Sequence, residues 1–247
     1  MDEGLHAETV TLVGHGSDEL EAYFARPLAE GSKGGVVVIH HMPGYDSSTK
    51  EIARKFAANG YLTVMPNLYH REAPGASPDD AAATVRAAGG VPDERLVGDV
   101  AAGAAFLREQ ADSNGKVGVI GYCSGGRQSL LAACSTDLDA AVDCYGAFVI
   151  SSPPPELPLK VKPLLPILGD LRCPLLGLFG AEDSYPAPDE VAQLEEALAE
   201  HGKNFEFHTY EGAGHAFFSV DRPAYRPEAA VDGWDRIWAF FGQYLAD

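Results

Sequence analysis

The residues that could do chemistry cluster first in Gly121-Tyr122-Cys123-Ser124-Gly125-Gly126. A short apolar run with β-branched residues, 117–120, reads as a buried strand that stops at Gly121. Residues 127–134 then read as a helix. Between them lies a G-x-Cys-x-G pattern, a strand–turn–helix elbow that presents its central side chain as a nucleophile. The turn strains the central residue and leaves room only for small residues two positions away on either side. Centred on Cys123 these positions are Gly121 and Gly125; centred on Ser124 they would be Tyr122 and Gly126, and a tyrosine does not fit. The cysteine would also sit at a helix N-terminus, where the backbone dipole favours a thiolate. The competing reading is a buried structural cysteine beside a glycine-rich helix–strand contact.

A thiol nucleophile needs a base for its proton and a carboxylate to fix the base's tautomer. On an elbow fold these follow the nucleophile in the order acid, then histidine. Asp183 follows a strand after the elbow, and His215 lies in a glycine-flanked loop after the last strand. Glu182 is the neighbouring rival to Asp183, since only one of two adjacent loop residues can reach the same ring. Two backbone N–H groups would hold the oxyanion, one from Ser124 and one from the loop after residues 36–39, at Met42. His40, His41 and His70 also stand at strand ends. Adjacent histidines seldom ligate one metal and no H-E-x-x-H pattern occurs, so neither a metal nor a cofactor is expected.

These residues need a scaffold. Strands are expected at 8–13, 20–26, 36–39, 61–65, 117–120, 139–145, 174–179 and 205–210. Helices are expected at 48–59, 93–111, 127–134, 189–201 and 227–244. The first two strands read as an antiparallel hairpin at the sheet edge. The remaining alternation gives an α/β fold, a mostly parallel central sheet with helices on both faces and ligand sites beyond the strand C-termini. Residues 73–90, rich in Ala, Gly, Pro and Asp, read as a flap over the site, and the proline-rich 151–168 as an ordered loop across the sheet end.

The alternation never resets, so residues 1–247 read as a single domain. A net charge of -18 argues against a nucleic-acid groove or an anionic membrane partner. No apolar run approaches the roughly 20 residues of a membrane span. The start, Met1-Asp2-Glu3-Gly4, has no basic region leading into an apolar core, so a cytoplasmic location is expected. Cys134, Cys144 and Cys173 lie in or beside apolar segments and read as reduced core residues.

The elbow, together with Pro66-Asn67-Leu68-Tyr69, Ser113-Asn114-Gly115-Lys116-Val117-Gly118, Asp183 and Gly212-Ala213-Gly214-His215, resembles the dienelactone hydrolase (carboxymethylenebutenolidase) family of α/β-hydrolases over nearly the whole chain. The resemblance implies the α/β-hydrolase fold, a Cys123–Asp183–His215 triad, an acyl-cysteine intermediate and a small-molecule ester or lactone substrate. It also marks departures. Where the family carries a glutamate after the central strand this chain has His41, which would add positive character beside Cys123 and favour a resting thiolate–imidazolium pair. Four residues after the histidine, where the family carries an arginine for the substrate carboxylate, this chain has Ser219. Arg71, Arg86 and Arg222 stand as possible substitutes, and dienelactone itself is not the expected substrate. His41, Tyr145 and Phe217 are expected to line the substrate site, with Tyr45 a further candidate wall. An isomerase or cyclase on the same fold, or a binding protein with a redox-sensitive thiol, are the alternatives.

Overall fold

The computed structural model describes residues 4–246; the reading of Met1–Glu3 as lacking a targeting signal lies outside the described residues. Eight strands form one sheet in the order β1-β2-β4-β3-β5-β6-β7-β8. Here β1 is Leu5–Val13, β2 Glu19–Pro27, β3 Lys33–Ile39, β4 Leu62–Pro66, β5 Ser113–Tyr122, β6 Ala140–Cys144, β7 Leu175–Gly180 and β8 Phe205–Tyr210. The β1–β2 hairpin is antiparallel and β2 also pairs antiparallel with β4, while every pairing from β4 through β3 to β8 is parallel. The strands are those the sequence predicts, longer at several ends. Among the described residues no helix is long and apolar enough to cross a membrane.

The β-branched run of β3 explains its central place. Val36 and Val38 face one layer, Val37 and Ile39 the other, and all four are buried. That is the two-sided burial a parallel strand requires. One layer holds α1 (Ser47–Ala58) and α6 (Pro227–Leu245), through Phe56, Ile237, Phe240 and Phe241. The opposite layer holds α2 (Pro78–Ala88), α3 (Asp93–Arg108), α4 (Ser124–Ser135) and α5 (Pro188–Glu200). Cys134, Cys144 and Cys173 are free and buried, and burial pushes all three thiols up, so they stay protonated.

Residues 73–90 depart from expectation. Instead of an irregular flap they contain α2, which Ser77 caps by accepting the Asp80 N–H at 3.2 Å, with Pro78 in the first turn. Gly89 closes it at φ 106°, a left-handed position that glycine takes at little cost. The buried face is Ala81, Ala82 and Val85, too small to register as an apolar stripe in the sequence. The caps were the legible signal.

Candidate active site

The site lies beyond the C-terminal ends of β3, β5, β7 and β8. Cys123 follows β5 with φ 59° and ψ -122°, outside the regions an L-residue adopts freely, and α4 begins at the next residue. Glycine makes this bend possible. A Cβ on Gly121 would stand 1.9 Å from the carbonyl oxygen of Gly125, and one on Gly125 would stand 2.7 Å from that of Ile39. Gly126 is equally constrained, because a Cβ there would meet the Asp143 carboxylate at 2.3 Å. The strain falls on Cys123 and not on Ser124, in line with the elbow spacing.

Three loops bring their side chains to this thiol. His215 Nδ1 lies 2.8 Å from Asp183 Oδ2, and the ring also hydrogen-bonds to Cys123. Asp183 is buried, and its other oxygen accepts the Tyr185 N–H at 2.8 Å. Glu182 is exposed, and it is Asp183 of the two neighbours that the His215 ring meets. The backbone N–H groups of Ser124 and Met42 both face the Cys123 sulfur. Tyr69 fixes the Met42 loop by donating its hydroxyl to the Met42 carbonyl at 2.9 Å.

The electrostatics follow from these contacts. Burial by itself would raise the Cys123 thiol, but the His215 hydrogen bond and charge, aided by the Ser124 and Met42 N–H groups, bring it below its ordinary value. Burial by itself would lower the imidazole. The hydrogen bonds to Asp183 and Cys123 outweigh it and push His215 up to about 10. Opposite charges on the two groups favour each other, a cause common to both shifts.

His40 is the reverse case. It is buried, and desolvation lowers it to about 4. Its Nε2 accepts the Leu68 N–H at 3.2 Å and its Nδ1–H donates to the His41 carbonyl at 3.0 Å, so it is a neutral brace between two loops.

The expected substrate-lining residues do not reach the cavity above Cys123. His41 turns away to Asp46, with Nε2 3.0 Å from Oδ2, and lines a second, smaller cavity together with Ser219 and Trp234. Its ring therefore meets a carboxylate and not Cys123, because the tight turn ending at Gly44 (φ 109°) directs the side chain toward the start of α1. Tyr145 is fully buried with its ring edge-on to His215 at 5.1 Å, and it hydrogen-bonds Ser219. Phe217 packs between Tyr145 and Tyr210 in the core, and Tyr45 is likewise buried. These aromatic residues form the backing of the site rather than its wall.

The arginines are equally displaced. Arg71 is held by Asp18 and Asp99, each at 2.8 Å, while Arg86 and Arg222 are exposed and outside the cavity. What lines the cavity instead was not singled out in the sequence: Arg127 and Gln128 of α4, Val85, Phe148, and Leu157, Leu159 and Val161 of the proline-rich loop. Their signal was weak, since apolar residues in an irregular segment carry no period. Among the described residues no group of three His, Cys, Asp or Glu side chains is placed to hold a metal ion.

Comparison with known proteins settles the family. The sequence profile of the Dienelactone hydrolase family matches residues 20–245. The chain belongs to the dienelactone hydrolase family. It is a hydrolase of the carboxylic ester and lactone class with the α/β-hydrolase fold. A Salmonella typhimurium protein named "Putative carboxymethylenebutenolidase" is 32% identical over 250 residues, covering 98% of this chain and 89% of that protein. An Escherichia coli K12 protein of the same name is 32% identical over 237 residues, covering 92% and 83%. A crystal structure from Klebsiella pneumoniae, named "Putative Dienelactone Hydrolase", superposes with a TM-score of 0.84 at 30% identity, covering 98% of this chain and all (100%) of that one. Within this member of the family the elbow and the His215–Asp183 contact are the features to which a mechanism must be fitted.

Proposed function

We propose that this protein hydrolyses carboxylic esters or lactones through an acyl-cysteine on Cys123, with His215 as acid–base and Asp183 as the carboxylate that orients it. The observation that carries the reading is the hydrogen-bonded chain from Cys123 through His215 to Asp183 at a strained elbow. Asp183 accepts Nδ1–H, which leaves Nε2 facing the sulfur and supports a resting thiolate–imidazolium pair.

The thiolate attacks the carbonyl carbon, and the C=O electron pair moves onto oxygen, where the N–H groups of Met42 and Ser124 stabilise it. Collapse breaks the C–O ester bond. The departing alkoxide takes the His215 Nε2 proton, leaving a thioester and a neutral imidazole. Water then attacks the thioester while giving a proton to Nε2. Collapse expels the thiolate, releases the carboxylic acid and restores the imidazolium. A lactone keeps its alcohol on the same molecule and leaves as a hydroxy acid.

Mass spectrometry after brief mixing with p-nitrophenyl acetate tests this. A transient 42 Da acetyl adduct (about that mass for an acetyl group replacing hydrogen), located on Cys123 and absent from Cys123→Ala, is the expected result together with turnover. No adduct on the wild type overturns the acyl-cysteine. An adduct that forms and does not clear favours group transfer over hydrolysis.

A further inference from the structure

The cavity above Cys123 encloses about 430 Å³, within the range of sites that surround a drug-sized ligand. Its wall is hydrophobic: Val85 from α2, Val91 from the turn that follows, Phe148 from the segment after β6, and Leu157, Leu159 and Val161 from the proline-rich loop. These separate segments are tied together by the backbone. The Lys160 N–H donates to the Gly89 carbonyl at 2.8 Å, and the Leu164 N–H to the Val149 carbonyl at 2.6 Å. The wall is therefore formed before any substrate arrives.

Charge is the second observation. Arg127 is the one arginine or lysine that lines the cavity among the described residues, and it is 2% exposed. Its fork meets both oxygens of Asp93 at 2.9 Å, and it donates as well to the Lys162 carbonyl at 2.5 Å. The charge is neutralised where it stands, in the bidentate geometry that arginine and carboxylate favour, and of its donors the buried Nε–H has no partner among the described residues. The remaining wall carries Glu182 and Asp183. A substrate anion would find Glu182 on the wall and no cation beyond the His215 ring, which Asp183 and Cys123 already hold.

Gln128 supplies the third. It lines the same cavity and is only 9% exposed, yet its side-chain amide has no hydrogen-bond partner among the described residues. An amide that lines a ligand cavity and meets no protein partner is available to a ligand. Gln128 stands four residues after Ser124 on the same face of α4, about 6 Å along the helix axis.

Building on the acyl-cysteine reading, we propose that the substrate is an uncharged ester or lactone with a hydrophobic body and one neutral hydrogen-bonding group. Gln128 reads that group, a carbonyl, ether or hydroxyl about one helical turn from the reacting carbonyl. Arg127 is a positioning residue that holds the proline-rich wall to α3 and α4 and leaves no charge for an anion.

The test uses three p-nitrophenyl esters: hexanoate, 5-oxohexanoate and the glutarate half-ester. The last two have nearly the same shape and differ in a methyl ketone against a carboxylate. The wild type is expected to turn over 5-oxohexanoate with a kcat/KM at least about tenfold above the half-ester. Gln128→Leu is expected to lower kcat/KM for 5-oxohexanoate about fivefold, the worth of one neutral hydrogen bond, and to raise it for hexanoate. A half-ester turned over as well as the ketone overturns the proposal, and so does a Gln128→Leu variant that moves both neutral esters together.

Calorimetry on Cys123→Ala separates the substrate class from the reaction. Tighter binding of ethyl 5-oxohexanoate than of monoethyl glutarate supports the proposal even where the wild type acylates with nothing. Preference for the anion, or binding of neither, overturns it whatever the turnover.

Discussion

Cys123 has a nucleophile's geometry because three groups face one sulfur: the His215 ring and the backbone N–H groups of Ser124 and Met42. Removing the ring removes the largest of the stabilising contacts and leaves burial opposed by the two N–H groups alone. Thiolate absorbance titrated against pH is therefore expected to give an apparent pKa below that of free cysteine, about 8.5, in the wild type, and above it in His215→Ala. A wild-type value at or above free cysteine would sink the ion pair. The pair exists between the depressed thiol pKa and the raised imidazole pKa of about 10, so alkylation rates should rise through the first and level off.

Asp143 on β6 carries a second residue-level prediction. It is fully buried, one oxygen accepts the Gly146 N–H at 2.7 Å, and the other has no partner among the described residues. Burial raises it to about 7, with the Glu190 charge adding to the shift. A raised carboxyl pKa means that the unfolded chain ionises first as pH rises, so stability is lost between about pH 4 and 7 and is level above. Asp143→Asn keeps the acceptor and lacks that slope. Its Tm is expected to gain on the wild type from pH 5 to pH 8, and a gap that stays constant or shrinks would show that Asp143 ionises normally.

At the scale of elements, the strand–elbow–helix unit of β5 and α4 is held by contacts that tolerate no side chain. In Gly121→Ala the new methyl group would collide with the Gly125 backbone, not with a flexible side chain that could move aside. Relief would require the elbow to open, which displaces both Cys123 and the Ser124 N–H. The expected outcome is a loss of several kcal/mol of stability, ~3 or more, in urea titration, with no acyl adduct on any protein that still folds. Near-native stability with retained acylation would show that the elbow relaxes at little cost. By contrast α2 rests on small residues and its caps, and that is why its composition looked like a loop while its Ser77–Pro78 start and Gly89 end were already written in the chain.

For the whole molecule the dominant quantity is charge: 36 acidic residues against 18 lysines and arginines. Many acids are paired locally, as Asp99 is with Arg71 and Asp93 with Arg127, but a net charge of -18 still repels itself. Salt shortens the reach of that repulsion to about 8 Å at 0.15 M and less beyond. Raising NaCl from low concentration to ~0.5 M is expected to raise the Tm, and a falling Tm would mean that the local pairs outweigh the net field.

The sequence by itself determined the sheet, the elbow and the chain order of the three side chains that meet at the candidate site. β-branched runs report burial directly, and a strand–turn–helix with glycine at fixed offsets leaves few backbone solutions. It also placed Met42 and Ser124, because backbone donors depend on the path of the chain and not on side-chain identity. Only the tertiary structure decided what surrounds the sulfur. His41 stands near Cys123 in the sequence logic of the fold, yet its partner Asp46 draws it aside. Phe217 lies just after His215 and Tyr145 just after β6, yet both support the site from within the core. The cavity wall joins α2, α4 and the proline-rich loop, segments distant in the chain, and whether Arg127 offers a charge depends on Asp93 standing opposite it. Local spacing fixes which backbone atoms meet; side-chain direction and charge compensation are settled by neighbours that only folding brings together.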